Sequence, residues 1–302
     1  MKKIIYLCFS IMLVIAIDYI IPTVYPLTSR DNYLLGFENF YNSAEQSLGQ
    51  NRIILVGGSS LGWGVSAETL TSNLGILTLN SGIHAAIGYK NFFRNISNVV
   101  DKHKDIIVIS PEYFLVSAGG DLGRSKEFCF ISIYVKGEYP LDCIGYSIAS
   151  FFAIKSVLDR NKVMTTKDEY IKNGFNAFGD YIHRVQNKNL YNDIGKIDKC
   201  SEWKIQDLSQ EYIPFIDEFV SQGYEVVYIP NFLPSATCPN LDKIQEFHHL
   251  MFKKYGIETF ENAVLLFDGK YFSNNPYHLT KEGVALKTSM FEAQLRHYLL
   301  TR

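Results

Sequence analysis

From residue 51 onwards the chain alternates between short, solidly apolar runs and longer stretches with apolar residues at helical spacing. Short apolar runs that end in glycine or polar residues are typical of strands buried in a parallel sheet. Strands that alternate with helices predict an α/β domain whose parallel sheet carries helices on both faces. The predicted strands are 52–56, 74–79, 105–109, 225–229 and 263–267, and the predicted helices are 66–73, 89–102, 210–222, 241–255 and 281–299.

The N-terminus has a different pattern. Lys2 and Lys3 precede an apolar run over residues 4–21, and about 18 helical residues just span a hydrocarbon core of about 30 Å. A cleaved signal peptide needs small residues after this run, and residues 18–22 supply none. The pattern favours an uncleaved anchor over residues 1–25. Because lysines stay on the inner side, it also predicts that residues 26–302 lie outside the cytoplasm.

The segment over residues 119–205 interrupts the alternation. It is rich in Tyr, Phe, Asn and Lys, and we interpret it as a helical and loop insertion within a single globular domain over residues 26–302. Inside it, residues 174–180 combine aromatic, amide and acid groups. Such a mixture is typical either of a carbohydrate-facing surface or of a turn packed by its own phenylalanines.

Composition narrows the class of protein further. The chain has 302 residues with 29 basic and 31 acidic groups, so its formal charge is −2. This near-neutral balance without a stripe of Lys or Arg gives no electrostatic footprint for nucleic acid. The hydrophobic content of 47% excludes a disordered chain.

The cysteines are compatible with a location outside the cytoplasm. Four of them lie beyond the predicted anchor, and an even number in an oxidising compartment allows two disulfides. Three pairings are open, of which we favour Cys129 with Cys143 and Cys200 with Cys238; free buried thiols also fit. No cysteine spacing resembles a zinc site, and we expect no cofactor.

A serine stands at the tight turn after the first predicted strand, in the sequence Val56-Gly57-Gly58-Ser59-Ser60. Glycines allow a sharp turn, the hydroxyl emerges at the sheet edge, and nearby backbone N–H groups can stabilise an oxyanion. These features suit a nucleophile. The same residues also fit an ordinary strand-to-helix turn with a serine cap, or a phosphate cradle, although no lysine follows as in a P-loop.

A histidine near the C-terminus supplies the complementary group. His278 lies in a predicted loop just before the last helix. A serine hydroxyl must lose its proton during attack, and imidazole is the usual acceptor. Together, the serine turn and His278 fit a nucleophile and its proton acceptor.

These blocks, in this order, resemble the SGNH (GDSL-like) hydrolase superfamily, in particular its membrane-anchored members associated with bacterial envelope polysaccharides. The resemblance covers residues 51–301 and implies a three-layer, flavodoxin-like fold. It implies that Ser59 is the nucleophile, or Ser60 if the block is shifted by one residue. Asn80 and Gly82 stand in the second block, whose glycine N–H lines the oxyanion hole, and His278 stands in the last block as general base.

The chain departs from the family pattern at two positions. The family has an aspartate three residues before its histidine, where this chain has Asn275 with Asn274 beside it. An asparagine orients an imidazole but does not stabilise imidazolium as a carboxylate does. A Ser/His dyad, or help from Asp268 or another acid, is therefore required. The third block supplies an oxyanion-hole asparagine in the family, whereas here the third strand is followed by Glu112, either a structural carboxylate or a site residue.

The resemblance implies a single-pass inner-membrane protein whose periplasmic or extracellular domain is a serine acyl-ester enzyme. The expected reaction is O-acetyl transfer to, or O-acetylester hydrolysis of, an envelope polysaccharide, with the acyl donor left open. The alternative is a non-catalytic, polysaccharide-binding or assembly protein that keeps the fold. Phosphate binding at the glycine turn is a third possibility.

Overall fold

The computed structural model describes the central sheet, the helices that cover it and parts of the connecting segments. The described residues are 6, 8–13, 16, 33–112, 128–129, 131–132, 135–138, 140, 143, 174–182, 208–235, 242–256, 266–273 and 277–302. Within them, no helix is both long enough and apolar enough to cross a membrane. The anchor predicted over residues 1–25 and the insertion predicted over residues 119–205 fall largely outside the described residues.

Among the described residues, four parallel strands form the central sheet in the order β2-β1-β3-β4. They are β1 (Arg52–Val56), β2 (Leu77–Asn80), β3 (Asp105–Ile109) and β4 (Glu225–Tyr228). In the centre of the sheet, Ile54 of β1 is paired with Leu79 of β2 and with Ile107 of β3. The prediction of an α/β protein with a parallel sheet is confirmed. The strand order is compatible with a flavodoxin-like sheet.

Helices cover both faces of the sheet, as predicted. Because successive side chains of a strand point to opposite faces, β1 and β3 contribute to two separate cores. Ile54 and Ile107 belong to the core that includes α1, α4, α5 and α6, whereas Ile53 and Ile106 pack with α3 and α7. The helices are α1 (Phe37–Gln46), α2 (Ser59–Gly62), α3 (Ala67–Leu74), α4 (Tyr89–Ile96), α5 (Leu208–Ser221), α6 (Asp242–Tyr255) and α7 (Lys281–Thr301).

Two boundaries of the described elements differ from the prediction by more than two residues. The second strand begins at Leu77 instead of residue 74, because α3 continues through Leu74 and ends at Gly75 with φ +69°. A left-handed glycine is a common helix terminus, and the strand starts after it. Helix α4 ends at Ile96, so the predicted helix over residues 89–102 is too long.

The fifth predicted strand lies outside the four-stranded sheet. Its described part is β6 (Leu266–Phe267), which pairs in parallel with β5 (Leu233–Pro234) in a separate two-stranded sheet. Residues 263–265 lie outside the described residues.

A buried ion pair holds the amino-terminal edge of the main sheet. Arg52 Nε and Nη2 donate to the two carboxylate oxygens of Asp105 at 2.8 and 2.6 Å, and both side chains are fully buried. The same guanidinium donates to the backbone carbonyls of Ala44 and Val99. This bidentate arrangement uses the planar fork of arginine and ties β1 to β3 and to the end of α1.

Cys129 and Cys143 form a disulfide. This confirms the local pairing that the sequence favours. Cys200 and Cys238, the second favoured pair, lie outside the described residues.

Candidate functional site

The carboxyl ends of β1 and β3 meet at the point where the strand order reverses. The chain passes from β1 to β2 on one side, and β3 lies on the other side of β1. In open parallel sheets the crevice at such a switch point is where ligands bind. Ser59 follows β1 and Glu112 follows β3, so both candidate residues stand at this crevice.

The serine turn begins a one-turn helix. Gly58 has an extended backbone (φ −92°, ψ −153°), and α2 starts directly at Ser59. Ser59 is partly exposed, whereas Ser60 is fully buried. This difference in exposure favours Ser59 as the hydroxyl that a ligand reaches.

Glu112 contacts both serines of this turn. Its Oε1 accepts a hydrogen bond from the Ser60 backbone N–H at 2.7 Å and lies 3.4 Å from Ser59 Oγ. A Cβ atom at position 58 would overlap Oε2 of Glu112, so the carboxyl group occupies space that only a glycine leaves open. Glu112, which follows β3, is therefore in direct contact with the serine turn that follows β1.

Lys287 of α7 lies on the other side of the turn. Its Nζ donates to the Ser60 carbonyl oxygen at 3.0 Å and to Asn231 Oδ1 at 2.6 Å, and the side chain is fully buried. Burial lowers the pKa of Lys287 to about 7, against the opposing effect of Glu112. Burial likewise raises the pKa of Glu112 to about 7, opposed by hydrogen bonds from Ser60 and Ser59 and by the Lys287 charge.

The second block packs directly against the serine turn. Asn80 Oδ1 accepts the Gly82 N–H at 3.0 Å, and Asn80 Nδ2 donates to the Leu61 carbonyl at 3.1 Å. A Cβ at Gly62 would overlap the Gly82 carbonyl oxygen, which means that two glycines permit the close approach of these segments. The Gly82 N–H, predicted as an oxyanion donor, is therefore engaged by Asn80 in this structure.

His278 reaches the same turn through a ring contact. Its imidazole stacks on the indole of Trp63, with centroids 5.1 Å apart and planes 9° from parallel, and it is buried. Burial, with a smaller contribution from His84 of the second block, lowers the pKa of His278 to about 3. The imidazole is therefore neutral at ordinary pH.

Only one of the three residues considered as partners of His278 is among the described residues. Asn274 and Asn275 lie outside the described residues. Asp268, considered as a substitute acid, precedes the turn Gly269–Tyr271 and accepts a hydrogen bond from the Lys270 N–H at 3.0 Å. Its side chain is 59% exposed.

Residues 174–182 form a packed turn, which is the second of the two interpretations given for this segment. Phe175, Asp180 and Tyr181 are buried, and Tyr181 stacks on Trp63 with centroids 4.3 Å apart. Asp180 accepts the N–H groups of Ala67 and Glu68 at 2.9 and 3.0 Å, and its pKa is raised by burial. The buried side chains of Phe175, Asp180 and Tyr181 therefore do not form a carbohydrate-facing surface, whereas Asn176 and Phe178 are partly exposed.

The sequence pattern did not single out Lys287 or Trp63, and it included Asp180 only as the acid of the segment 174–180. One signal was available for Lys287: it falls within the buried stripe of α7, between Val284 and Phe291. A lysine at helical spacing among core positions indicates a buried charge with a partner. For Trp63 and Asp180 the decisive contacts join distant parts of the chain, so no local pattern reveals them.

No protein-family model matches this chain, and no curated protein is significantly similar to it. Among the described residues, no group of three or more His, Cys, Asp or Glu side chains could hold a metal ion. The function must therefore be argued from the geometry of the site and from the motifs.

Proposed function

We propose that this chain is a membrane-anchored serine acyl-ester enzyme of the SGNH type that acts on an envelope polysaccharide outside the cytoplasm. The observation that carries the proposal is the convergence of three distant sequence blocks at one sheet edge. Gly62 of the serine turn packs against Gly82, and Trp63 of the same turn stacks on His278. A nucleophile, a backbone N–H region and a base are needed together for acyl transfer.

In this proposal Ser59 Oγ attacks the acyl carbonyl carbon, and the Ser59 and Gly82 N–H groups stabilise the oxyanion. Gly82 must then exchange its bond to Asn80 for a bond to the oxyanion. The family resemblance assigns the proton acceptor to His278. A sugar hydroxyl that attacks the acyl-enzyme makes the protein an O-acetyltransferase, and water makes it an esterase.

The experiment uses the full chain in detergent micelles with an activated acetyl ester. The mixture is quenched in acid during the first turnovers, and peptide mass spectrometry locates the acetyl group. We expect an adduct on Ser59 that is absent from Ser59→Ala and retained in Ser60→Ala. A folded chain that yields no serine adduct would overturn the proposal.

A second candidate is a non-catalytic protein that binds or assembles polysaccharide. The observation in its favour is that the Gly82 and Ser60 N–H groups are already engaged by Asn80 and Glu112. It predicts that Ser59→Ala and His278→Ala cells make normal envelope polysaccharide, whereas deletion of the whole protein does not. A defect equal to deletion in either point variant argues against it.

A further inference from the structure

We propose that Glu112 is the general base that takes the proton of Ser59, because its Oε1 is the acceptor that the fold sets against Oγ, at 3.4 Å. This inference rests on the proposed function of Ser59 as a nucleophile. It replaces the assignment of that proton transfer to His278. The family pattern has no carboxylate at this place, which makes Glu112 a feature of this chain.

Two contacts fix the position of the Glu112 carboxyl group. The Ser60 N–H binds Oε1 at 2.7 Å, and the carboxyl lies over Gly58, where any larger residue would displace it. Apo structures often have a long contact between base and nucleophile that shortens when substrate binds, so 3.4 Å is within reach.

The charge environment suits a base at neutral pH. Burial raises the pKa of Glu112 to about 7, whereas the positive charge of Lys287 lowers it. The neighbouring groups on α2 are the Ser59 and Ser60 hydroxyls. A base is most effective when its pKa lies near the working pH. His278, with a pKa of about 3, is a far weaker base.

Glu112 accepts and returns the proton in both halves of the reaction. The Ser59 proton moves to Glu112 Oε1 as Oγ bonds to the acyl carbon, and the carbonyl electrons move to its oxygen. Collapse of this intermediate expels the donor's alkoxide, which takes the proton from Glu112. In the second half, the incoming hydroxyl gives its proton to Glu112 and receives the acyl group, and Ser59 Oγ regains a proton from Glu112 as it leaves.

The test measures the rate of Ser59 acetylation by the activated ester between about pH 5 and 9. For the wild-type chain we expect the acetylation rate to rise with pH, with a midpoint near pH 7. We call this rising part of the pH–rate profile the limb. Glu112→Gln should lower the rate by about 10²-fold or more and abolish the limb, since the amide cannot take a proton. Glu246→Gln, an exposed glutamate on α6, is the matched control and should behave as wild type.

Two further variants separate Glu112 from other groups. Lys287→Met removes the positive charge that lowers the pKa of Glu112, so the limb should move to higher pH. A purely structural role of Lys287 would not shift the limb. His278→Asn should retain the limb, because the titrating group is elsewhere.

The outcomes are distinguishable. Acetylation of Glu112→Gln within about threefold of wild type, with the wild-type limb, would overturn the role of Glu112 and leave the proposed function standing. If Glu112→Gln does not fold, the Lys287→Met variant decides the question. A limb at the wild-type pH in that variant would also overturn the role of Glu112. Loss of the limb in His278→Asn would return the base role to the histidine. Absence of any Ser59 adduct in wild type overturns the proposed function and this inference together.

Discussion

The imidazole of His278 lies nearly parallel to the indole of Trp63, with ring centroids 5.1 Å apart. Trp63 follows the serine helix directly, and it also stacks on Tyr181 and meets the edge of Phe175. One tryptophan therefore joins the serine turn, the C-terminal loop and residues 174–182. The position of the histidine depends on packing with this ring.

Removal of the Trp63 ring should disconnect these segments. We expect Trp63→Ala to lower the free energy of unfolding by about 3–5 kcal/mol, the usual cost of deleting a buried aromatic side chain. Trp63→Phe should lose less, because it keeps a ring for Tyr181 and His278. Chemical denaturation measures both values, and equal losses in the two variants would contradict the role of ring stacking.

Buried His248 should make stability fall in acid. Its Nδ1 lies 2.7 Å from the Tyr228 hydroxyl, and burial lowers its pKa to about 3. His248 is buried because α6 turns it towards Tyr228 of β4. The unfolded imidazole gains a proton below its ordinary pKa of 6.5, whereas the folded one stays neutral. The stabilisation is thus complete above pH 6.5 and is lost as the pH falls towards 3.

The measurement is the unfolding free energy in urea at several pH values below 6.5. One such group adds a slope of about 1.4 kcal/mol per pH unit. His248→Asn should have a correspondingly flatter dependence than wild type. His249→Asn, at the exposed neighbouring position, should keep the wild-type slope. Identical slopes for wild type and His248→Asn would refute the prediction.

Replacing only one member of the buried Arg52–Asp105 pair should lower the free energy of unfolding strongly. Arg52→Met leaves the Asp105 carboxylate buried without its bidentate partner, so we expect a loss of about 3–5 kcal/mol. Replacing both residues with apolar ones, in Arg52→Met with Asp105→Leu, should recover most of this loss because no charge remains buried. Denaturation of the two variants under the same conditions decides this, and additive losses would count against it.

Asp180 should stabilise the start of α3. Its carboxylate accepts the Ala67 and Glu68 N–H groups and an Asn80 Nδ2 hydrogen at 3.1 Å. Asp180→Ala removes the acceptor of the Ala67 and Glu68 N–H groups, which should cost about 1–3 kcal/mol. Thermal unfolding detects this as a lower midpoint, whereas Glu246→Ala on the exposed face of α6 should have little effect. Similar midpoints for the two variants would show that the cap contributes nothing.

The disulfide between Cys129 and Cys143 should contribute through the unfolded state. The two residues are 14 positions apart, and closing a loop of about 15 residues is worth about 3 kcal/mol in the chain-entropy model. The double variant Cys129→Ala, Cys143→Ala should lose a comparable amount of unfolding free energy in chemical denaturation, and an unchanged value would contradict the prediction. Cys8→Ala, which removes an exposed free thiol, serves as the control.

Local patterns were sufficient for most of the fold. Mostly apolar runs located β1 and β3 at the observed residues, because a strand buried on both faces is apolar at nearly all of its positions. Ser66 caps α3 and Gly75 ends it, and both are local signals, although the prediction placed Ser66 within the helix and Gly75 within the next strand. The alternation of strands and helices also determined that the sheet is parallel, since parallel strands need crossover connections.

The tertiary structure decided which residues share the site. The sequence placed Ser59 and Glu112 at strand ends, but only the strand order β2-β1-β3-β4 brings those two ends side by side. The buried charge of Lys287 comes from α7, more than two hundred residues along the chain from the serine it contacts. Such a contact is fixed by how helices pack on the sheet, and no short-range periodicity encodes it. The sequence therefore determined the elements and the candidate nucleophile, and the packing of those elements determined the charges that surround it.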